Sequence, residues 1–216
     1  MNVLLILTIL AIGSALACIY ARYKGPKMFF YIFKPMTTMI IIVIALYRWG
    51  IASGNSTPYY AYLILTGLVF CLVGDIFLMF PRTFFVHGLS SFLMGHIFYT
   101  LSFVHPLDRL PFRPWLVVVV GLLGISFAGF IRPAARKIKS PVVIYTMVIS
   151  LMLWSSWQRF LSSNSDPSLL AAIGATLFVL SDVTLAINKF KKKFKSAELF
   201  ILGTYFPAIW LIASSI

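Results

Sequence analysis

Residues 59–80 read YYAYLILTGLVFCLVGDIFLMF, and this segment decides the fold of the chain. It carries a single charge, the Asp75 carboxylate, and it is long enough to cross a bilayer, which takes about 20 residues of helix. Residues 168–188 form a second segment of this kind, whose single charge is Asp182. The chain has only five acidic residues in 216. Two of them inside membrane-length segments therefore require a functional explanation.

The composition places the chain in a membrane. Hydrophobic residues make up 61% and charged residues 11% of the sequence, with a mean hydropathy of +0.97, which leaves too little polar surface to cover a water-soluble globule. We predict an all-α, polytopic integral membrane protein. The net charge of +13 is explained by basic residues facing anionic headgroups, so a nucleic-acid partner is not expected. Cys18 and Cys71 fall inside predicted spans, where a disulfide framework has no purpose.

Charged residues, prolines and glycines divide the sequence into eight predicted transmembrane helices within one domain, residues 1–216. Their expected bounds are 3–21, 28–47, 59–80, 84–104, 115–131, 140–157, 168–188 and 197–215. The first segment is expected to be a retained span rather than a signal peptide, because no Lys or Arg precedes it.

The distribution of Lys and Arg predicts the orientation of the helices. Of the 18 basic residues, thirteen lie in loops after the first, third, fifth and seventh helices, and Lys34 lies inside a span. The opposite loops hold four: Arg48, Arg109, Arg113 and Arg159. The positively charged side stays cytoplasmic, so both termini are expected on the luminal or external side. We expect the endoplasmic reticulum in a eukaryote or the inner membrane in a bacterium. The sequon at Asn55 is also luminal, but its loop is too short for glycosylation to be expected.

This topology puts the two carboxylates at one depth. Asp75 is expected about 8 Å, and Asp182 about 9 Å, from the cytoplasmic end of its helix, at 1.5 Å per residue. Lys34 and Tyr205 reach a comparable layer, about 9 to 12 Å deep. We therefore predict a polar pocket that opens toward the cytoplasmic leaflet.

An internal repeat relates the two Asp segments. Gly67 and Gly174 stand eight residues before Asp75 and Asp182, and Leu78 and Leu185 stand three residues after them. Gly95 and Gly203 follow twenty and twenty-one residues after the same two residues, and Lys34-Pro35 and Ser140-Pro141 stand 106 apart. An offset of about 107 residues predicts a 4+4 parallel duplication, with halves 1–107 and 108–216 related by an axis along the membrane normal.

Two interpretations of the acidic pair remain open at this point. In the first, Asp75 pairs with Lys34 or accepts hydrogen bonds from Ser181 and Thr184, and merely holds helices together. In the second, the two carboxyl groups share a site in which one is protonated and the other ionised, which is the equipment of acid-catalysed hydrolysis.

Several motifs surround the two Asp residues. The third and fourth helices carry Gly74-Asp75-x-x-Leu78, Phe85-x-x-Gly88, Phe92-x-x-x-His96 and Tyr99. The seventh and eighth carry Gly174-Ala175-x-x-Phe178-x-x-Ser181-Asp182-x-x-Leu185-Ala186 and Thr204-Tyr205. Together with Lys34-Pro35 on the second helix, these motifs resemble the lysoplasmalogenase (YhhN-like) family of multi-pass membrane proteins. The chain departs from the family at Phe206 and Ile209, where a second Tyr and a Gln are usual.

The resemblance implies hydrolysis of the vinyl-ether bond of a lysoplasmalogen, with release of a fatty aldehyde and glycerophosphoethanolamine or glycerophosphocholine. It implies that Asp75 and Asp182 are catalytic, one as general acid and one as the carboxylate that stabilises the oxocarbenium ion and activates water. Residues assigned to substrate binding are Lys34, His87, His96, Tyr99, Ser181 and Tyr205. Lys34 has the alternative role of neutralising an Asp, and His96 that of a buried hydrogen-bonding group.

Other functions are distinguished by features of the sequence. A proton-coupled transporter would also use a duplicated bundle with carboxylates inside the membrane. An intramembrane aspartyl protease also needs two membrane Asp, but its usual Tyr-Asp motif is missing. No metal-ligand spacing, glycine-rich phosphate loop or Ser-His-Asp constellation occurs, so neither a metal nor another cofactor is expected. The lysine-rich run 189–195 is interpreted as a topology signal and lipid anchor, with recruitment of the phospholipid headgroup as the alternative.

Overall fold

A computed structural model describes residues 3–52, 58–80, 83–105, 112–134 and 139–216. Within these ranges the chain forms eight α-helices and no strand, which confirms the predicted all-α architecture. The α-helices are α1 Val3–Tyr23, α2 Lys27–Ala52, α3 Pro58–Leu78, α4 Phe85–Val104, α5 Pro114–Ile131, α6 Lys139–Ser163, α7 Asp166–Ala186 and α8 Ala197–Ala213. A π-helical turn, Ile187–Lys191, continues α7. Asn55 and the boundary between the predicted halves lie outside the described residues.

Six of these helices, α1, α2, α3, α5, α6 and α7, are long and apolar enough to cross a membrane. α8 is also apolar, but it has only 17 residues. α4 has the length, yet two histidines and three serines lower its hydropathy. The description as a polytopic membrane protein holds, and α4, with its polar side chains, is one of the helices that build the site below.

Two predicted helix bounds were wrong by a turn or more. α2 and α6 end later than expected, so Arg48 and Arg159 lie inside helices rather than in loops. The Arg48 guanidinium donates to the carbonyl of Ser214 at 2.8 Å, and that of Arg159 lies over the Tyr60 ring at 4.1 Å. A long basic side chain can pack its methylene groups on the bundle while its charged end reaches a partner elsewhere. A helix can therefore continue beyond its first charged residue.

α7 begins earlier than its apolar run. Ser165 and Ser168 form a capping box at its start, and Pro167 occupies the first turn, where a missing N–H costs nothing. The predicted start at residue 168 was therefore wrong because apolar periodicity does not report a polar first turn.

Close helix pairs build the bundle from consecutive elements. α1 packs on α2, α3 on α4, α5 on α6 and α7 on α8, while α4 meets α6 and α2 meets α8 across the halves. Gly74 allows α3 to approach α4, because a Cβ there would lie 2.7 Å from the Phe92 ring. Gly174 does the same for α7 and α8, where a Cβ would lie 2.8 Å from Ile212. These matched pairings are what a duplication would produce, and the 4+4 repeat stays a prediction.

Candidate functional site

Asp75 lies in a closed polar cluster between α2, α3 and α8. Its Oδ1 is 3.2 Å from the Lys34 Nζ. Its Oδ2 accepts hydrogen bonds from the Thr38 hydroxyl at 2.6 Å and the Tyr205 hydroxyl at 2.8 Å. The Asp75 side chain is only 1% exposed, so a cation and two donors replace the water that the carboxylate has lost.

Asp182 lies in a second cluster, between α4, α6 and α7. Its Oδ2 accepts a hydrogen bond from the Tyr145 hydroxyl at 2.6 Å. The Nε2 of His96 is 3.5 Å from the same oxygen, but it does not make a hydrogen bond there, and neither ring nitrogen of this buried histidine has a hydrogen-bond partner among the described residues. The Asp182 side chain is 12% exposed. This carboxyl group is therefore the more open and the less satisfied of the two.

The hydroxyl donors of the two clusters have the same spacing in the sequence. Thr38 stands 37 residues before Asp75, and Tyr145 stands 37 residues before Asp182. In each half the helix that precedes the Asp helix donates a hydroxyl, and the second contact comes from the last helix of the other half, through Tyr205 or His96. Tyr145 is the residue 107 positions after Thr38. The predicted repeat therefore related these two residues in the sequence, but Tyr145 was not among the predicted site residues.

Aromatic rings lie between the two clusters. The His96 ring is 4.5 Å from that of Phe178, and Phe178 is 5.4 Å from Tyr205. Phe92 packs edge-on against both Phe178 and Tyr205. No described side chain that hydrogen-bonds or ion-pairs with one carboxyl group does so with the other. The geometry therefore gives each Asp its own surroundings, rather than the one shared pocket expected from their depth.

An apolar cavity of about 290 Å³ reaches Asp182. Its walls come from α4, α5, α6, α7 and the π turn, and its polar side chains are Asp182, Tyr145, Thr146 and Ser150. A second space of about 750 Å³ adjoins it between α5 and α6, where the two share Val120, Gly124, Thr146 and Ser150. Asp75 lines neither space. An apolar cavity with few polar groups at one place is the usual form of a site for an apolar ligand.

The other predicted binding residues form their hydrogen bonds or ring contacts with groups other than the two carboxyl groups. Tyr99 shares a 3.4 Å hydrogen bond with Cys71, and Ser181 donates to the carbonyl of Ile201 at 3.1 Å. Thr184 donates to the carbonyl of Leu180 within its own helix. His87 is exposed beside the rings of Phe77 and Phe84. Ser and Thr hydroxyls in helices commonly donate their hydrogen bond to a nearby backbone carbonyl.

The part of the chain that the structure describes contains no group of three or more His, Cys, Asp or Glu placed to hold a metal ion. The groups with exchangeable protons around Asp182 are its own carboxyl group, the Tyr145 hydroxyl and the His96 imidazole.

Comparison with known proteins gives the family. The YhhN family model matches residues 29–216. The chain belongs to the YhhN family. It is 25% identical over 203 residues to the uncharacterized membrane protein YhhN of Escherichia coli O157:H7, covering 94% of each chain. No solved structure matches the chain.

Mammalian relatives within the comparison carry a functional name. Lysoplasmalogenase TMEM86A of Homo sapiens is 33% identical over 156 residues, which are 70% of this chain and 64% of that protein. Lysoplasmalogenase TMEM86B of Mus musculus is 29% identical over 177 residues, or 81% of this chain and 71% of that protein. The chain thus spans somewhat less than two thirds of the human relative. The family resemblance carried by the Asp75 and Asp182 motifs is confirmed.

Proposed function

We propose that this membrane protein is a lysoplasmalogenase, which hydrolyses the vinyl-ether bond of a 1-alkenyl lysophospholipid. The observation that carries the proposal is the Asp182 carboxyl group, bonded by Tyr145 and placed on the wall of an apolar cavity. The names of the mammalian relatives support the same reaction. A single-chain lipid has one apolar tail to bury and one polar end to leave outside, which suits a cavity of this kind.

Asp182 supplies the acid in this mechanism. The protonated carboxyl group gives its proton to the β-carbon of the vinyl ether, and the α-carbon and ether oxygen become an oxocarbenium ion. Water adds to the α-carbon while the Asp182 carboxylate takes up its proton, and the resulting hemiacetal breaks into a fatty aldehyde and the glycerol hydroxyl of the headgroup fragment. The sum is one water consumed, with Asp182 restored. Tyr145 orients the carboxyl group, and His96 offers a ring nitrogen free of hydrogen bonds to the described residues beside it.

Asp75 acts at a distance in this proposal. Its charge is balanced by Lys34, and its bond to Tyr205 holds a ring that packs on Phe178, which in turn packs on His96. Asp75 is thereby a positioning residue. If Asp75 itself stabilised the cation or activated water, removing its charge together with that of Lys34 would restore the fold without restoring activity.

The membrane placement belongs to the same proposal. Both termini lie on the luminal side, the cavity opens toward the cytoplasmic leaflet, and the endoplasmic reticulum is the expected organelle of a eukaryotic chain. The orientation rests on the distribution of Lys and Arg. An aspartyl protease is not favoured, because its two Asp must share a proton, whereas these two share no described partner.

The direct test is mass spectrometry of purified protein with 1-alkenyl and 1-acyl lysophospholipids side by side. We expect fatty aldehyde from the alkenyl lipid and no fatty acid from the acyl lipid. Fatty acid from the acyl lipid would make the protein a lysophospholipase. Flux of lipid across liposomes with no product from either substrate would make it a transporter.

Tyr145→Phe tests the orientation of the acid. Loss of one hydrogen bond to Asp182 is expected to lower kcat roughly tenfold, the size of one bond to a charged or reacting group, with little change in KM. The measurement is steady-state aldehyde release. Tyr60→Phe is the matched control, because its hydroxyl is also buried and bonded, but to Ser215, on another face of the bundle. Equal losses in the two variants would mean that Tyr145 acts only through stability.

Val120→Phe tests the cavity as the site of the lipid chain. Val120 lines the space on α5, so a phenyl ring there is expected to lower kcat/KM about tenfold for a long alkenyl chain while sparing a short one. Val118→Phe, on the exposed side of the same helix, is expected to affect neither substrate. The check is kcat/KM against chain length. A uniform loss for long and short chains would argue that the chain binds elsewhere.

A further inference from the structure

The π turn at the end of α7 places two lysines beside the cavity. Residues Ile187–Lys191 form this turn, which closes with a bond from the Lys192 N–H to the Ile187 carbonyl at 3.0 Å. π turns widen a helix and are frequent at functional sites. Phe190, within the turn, lines the cavity and packs edge-on against Phe85 of α4, another lining residue. The turn therefore forms one rim of the cavity.

The two lysines on either side of Phe190 lean over different helices. The Lys189 Nζ lies 4.1 Å from the centre of the Phe85 ring, on α4. The Lys191 Nζ lies 4.2 Å from the centre of the Phe130 ring, on α5. Cation–π contacts of this length hold an ammonium group in place while leaving its N–H donors to other partners. The π turn thus holds one positive charge over Phe85, which lines the cavity, and one over Phe130, which lies on α5 outside the cavity lining.

Neither charge is balanced by a carboxylate of the described residues. The ion pairs in that part of the chain join Arg22 to Glu198 and Lys34 to Asp75, and the Asp182 carboxyl group lies near His96 rather than near a lysine. Lys189 and Lys191 are both exposed. Two ammonium groups on a turn that borders an apolar cavity, with their donors free of carboxylates from the described residues, suit an anion that is attached to an apolar chain.

The spacing along α6 and α7 matches the order of groups in such a lipid. Lys189 follows Asp182 by seven residues, about 10 Å along the helix and close to the same face. In the other direction, the cavity continues along α6 from Tyr145 to Leu153, about 12 Å deeper. A lysophospholipid with its phosphate at the rim would have its ether bond near Asp182 and its hydrocarbon chain in the deep part of the cavity.

We infer that Lys189 and Lys191 form the phosphate subsite for the substrate, so that the headgroup is recognised at the π turn and not at Lys34. The Lys34 ammonium group forms its ion pair with Asp75. The inference rests on the proposed function for the identity of the lipid. The lysines of the run 189–195 then have different roles. Lys189 and Lys191 bind substrate, whereas Lys192 and Lys195 contribute only to the positive charge of the surface.

The test compares two double variants in neutral detergent micelles. Lys189→Met/Lys191→Met is expected to raise KM for a 1-alkenyl lysophospholipid roughly tenfold, since each ammonium lost weakens the contact with an anionic group. KM for a 1-alkenyl glycerol, which has no phosphate, is expected to stay unchanged, as is kcat for both substrates. Lys192→Met/Lys195→Met removes the same charge from the same run and is expected to change neither KM. Equal rises in the two double variants, or a rise that is the same with and without phosphate, would overturn the subsite.

A binding measurement separates this inference from the proposed function. A 1-alkyl lysophospholipid has no vinyl group and cannot be turned over, so its effect on the melting temperature reports binding alone. We expect a stabilisation that is lost in Lys189→Met/Lys191→Met and kept in Lys192→Met/Lys195→Met. If the wild-type protein releases no aldehyde yet shows this pattern, the proposed reaction fails and the phosphate subsite stands. If aldehyde is released and the pattern is absent, the subsite fails and the reaction stands.

Discussion

Asp182→Asn is expected to abolish aldehyde release from a 1-alkenyl lysophospholipid, with kcat reduced by at least about a hundredfold, the lower range for loss of a general acid. The amide has nearly the shape of the carboxyl group and keeps an oxygen for the Tyr145 hydroxyl. It has no acidic proton to give to the β-carbon. The loss should therefore appear in kcat, with KM little changed.

Asp166→Asn is the matched control for this variant. Asp166 lies in the first turn of the same helix and is exposed, so the same change of side chain there is expected to leave activity within about twofold, as for other surface substitutions. Melting temperature and elution volume in detergent should show that both variants are folded. Full activity of a folded Asp182→Asn protein would show that the proton comes from another group.

The Lys34–Asp75 pair gives the second large effect. Lys34→Met or Asp75→Asn alone leaves one unbalanced charge in a buried cluster, and breaking a buried ion pair in this way costs roughly 3–5 kcal/mol. We expect each single variant to have a much lower melting temperature and little activity. The Thr38 and Tyr205 hydroxyls remain as partners of residue 75 in both, but they do not supply the missing charge.

The double variant Lys34→Met/Asp75→Asn separates positioning from chemistry. Because both charges are removed together, the melting temperature is expected to recover most of the loss. If Asp75 only holds Tyr205 in place, aldehyde release should recover with it, since the amide oxygen of an asparagine at position 75 can still accept the Tyr205 hydrogen bond. Recovery of the fold without recovery of activity would instead make Asp75 a second catalytic carboxylate, as the family resemblance implies.

The helices were predictable because a membrane imposes a length on every span. About 20 apolar residues are needed to cross the hydrocarbon layer, so the interruptions of that pattern locate eight helices without knowledge of their packing. The ends were less predictable. α2 and α6 continue through Arg48 and Arg159 because these side chains find partners on other parts of the bundle. Those partners are distant in the sequence, so the local pattern could not predict where the helices end.

The two carboxylates of the candidate site were predictable from the sequence. The side chains that surround them were predictable only in part. Asp75 and Asp182 stand out because charge inside an apolar segment is costly and therefore rare. Depth placed Lys34 and Tyr205 in the same layer, and pairing of Lys34 with Asp75 was one of the interpretations left open. Tyr145 was missed because a tyrosine in an apolar helix is ordinary. Tyr99 and Ser181 were selected through motifs, and His87 through its place near the loop between the third and fourth helices. Neither criterion says which way a side chain turns.

By itself, the sequence determined that the chain lies in a membrane, that the residues now described form eight α-helices and that two carboxyl groups lie within membrane-length segments. These properties depend on residue type and spacing along one chain. The tertiary structure decided that Asp75 is closed off by Lys34, Thr38 and Tyr205, whereas Asp182 faces a cavity beside Tyr145. That difference depends on how each helix is rotated against its neighbours, which is set by the packing of rings and glycines across the two halves.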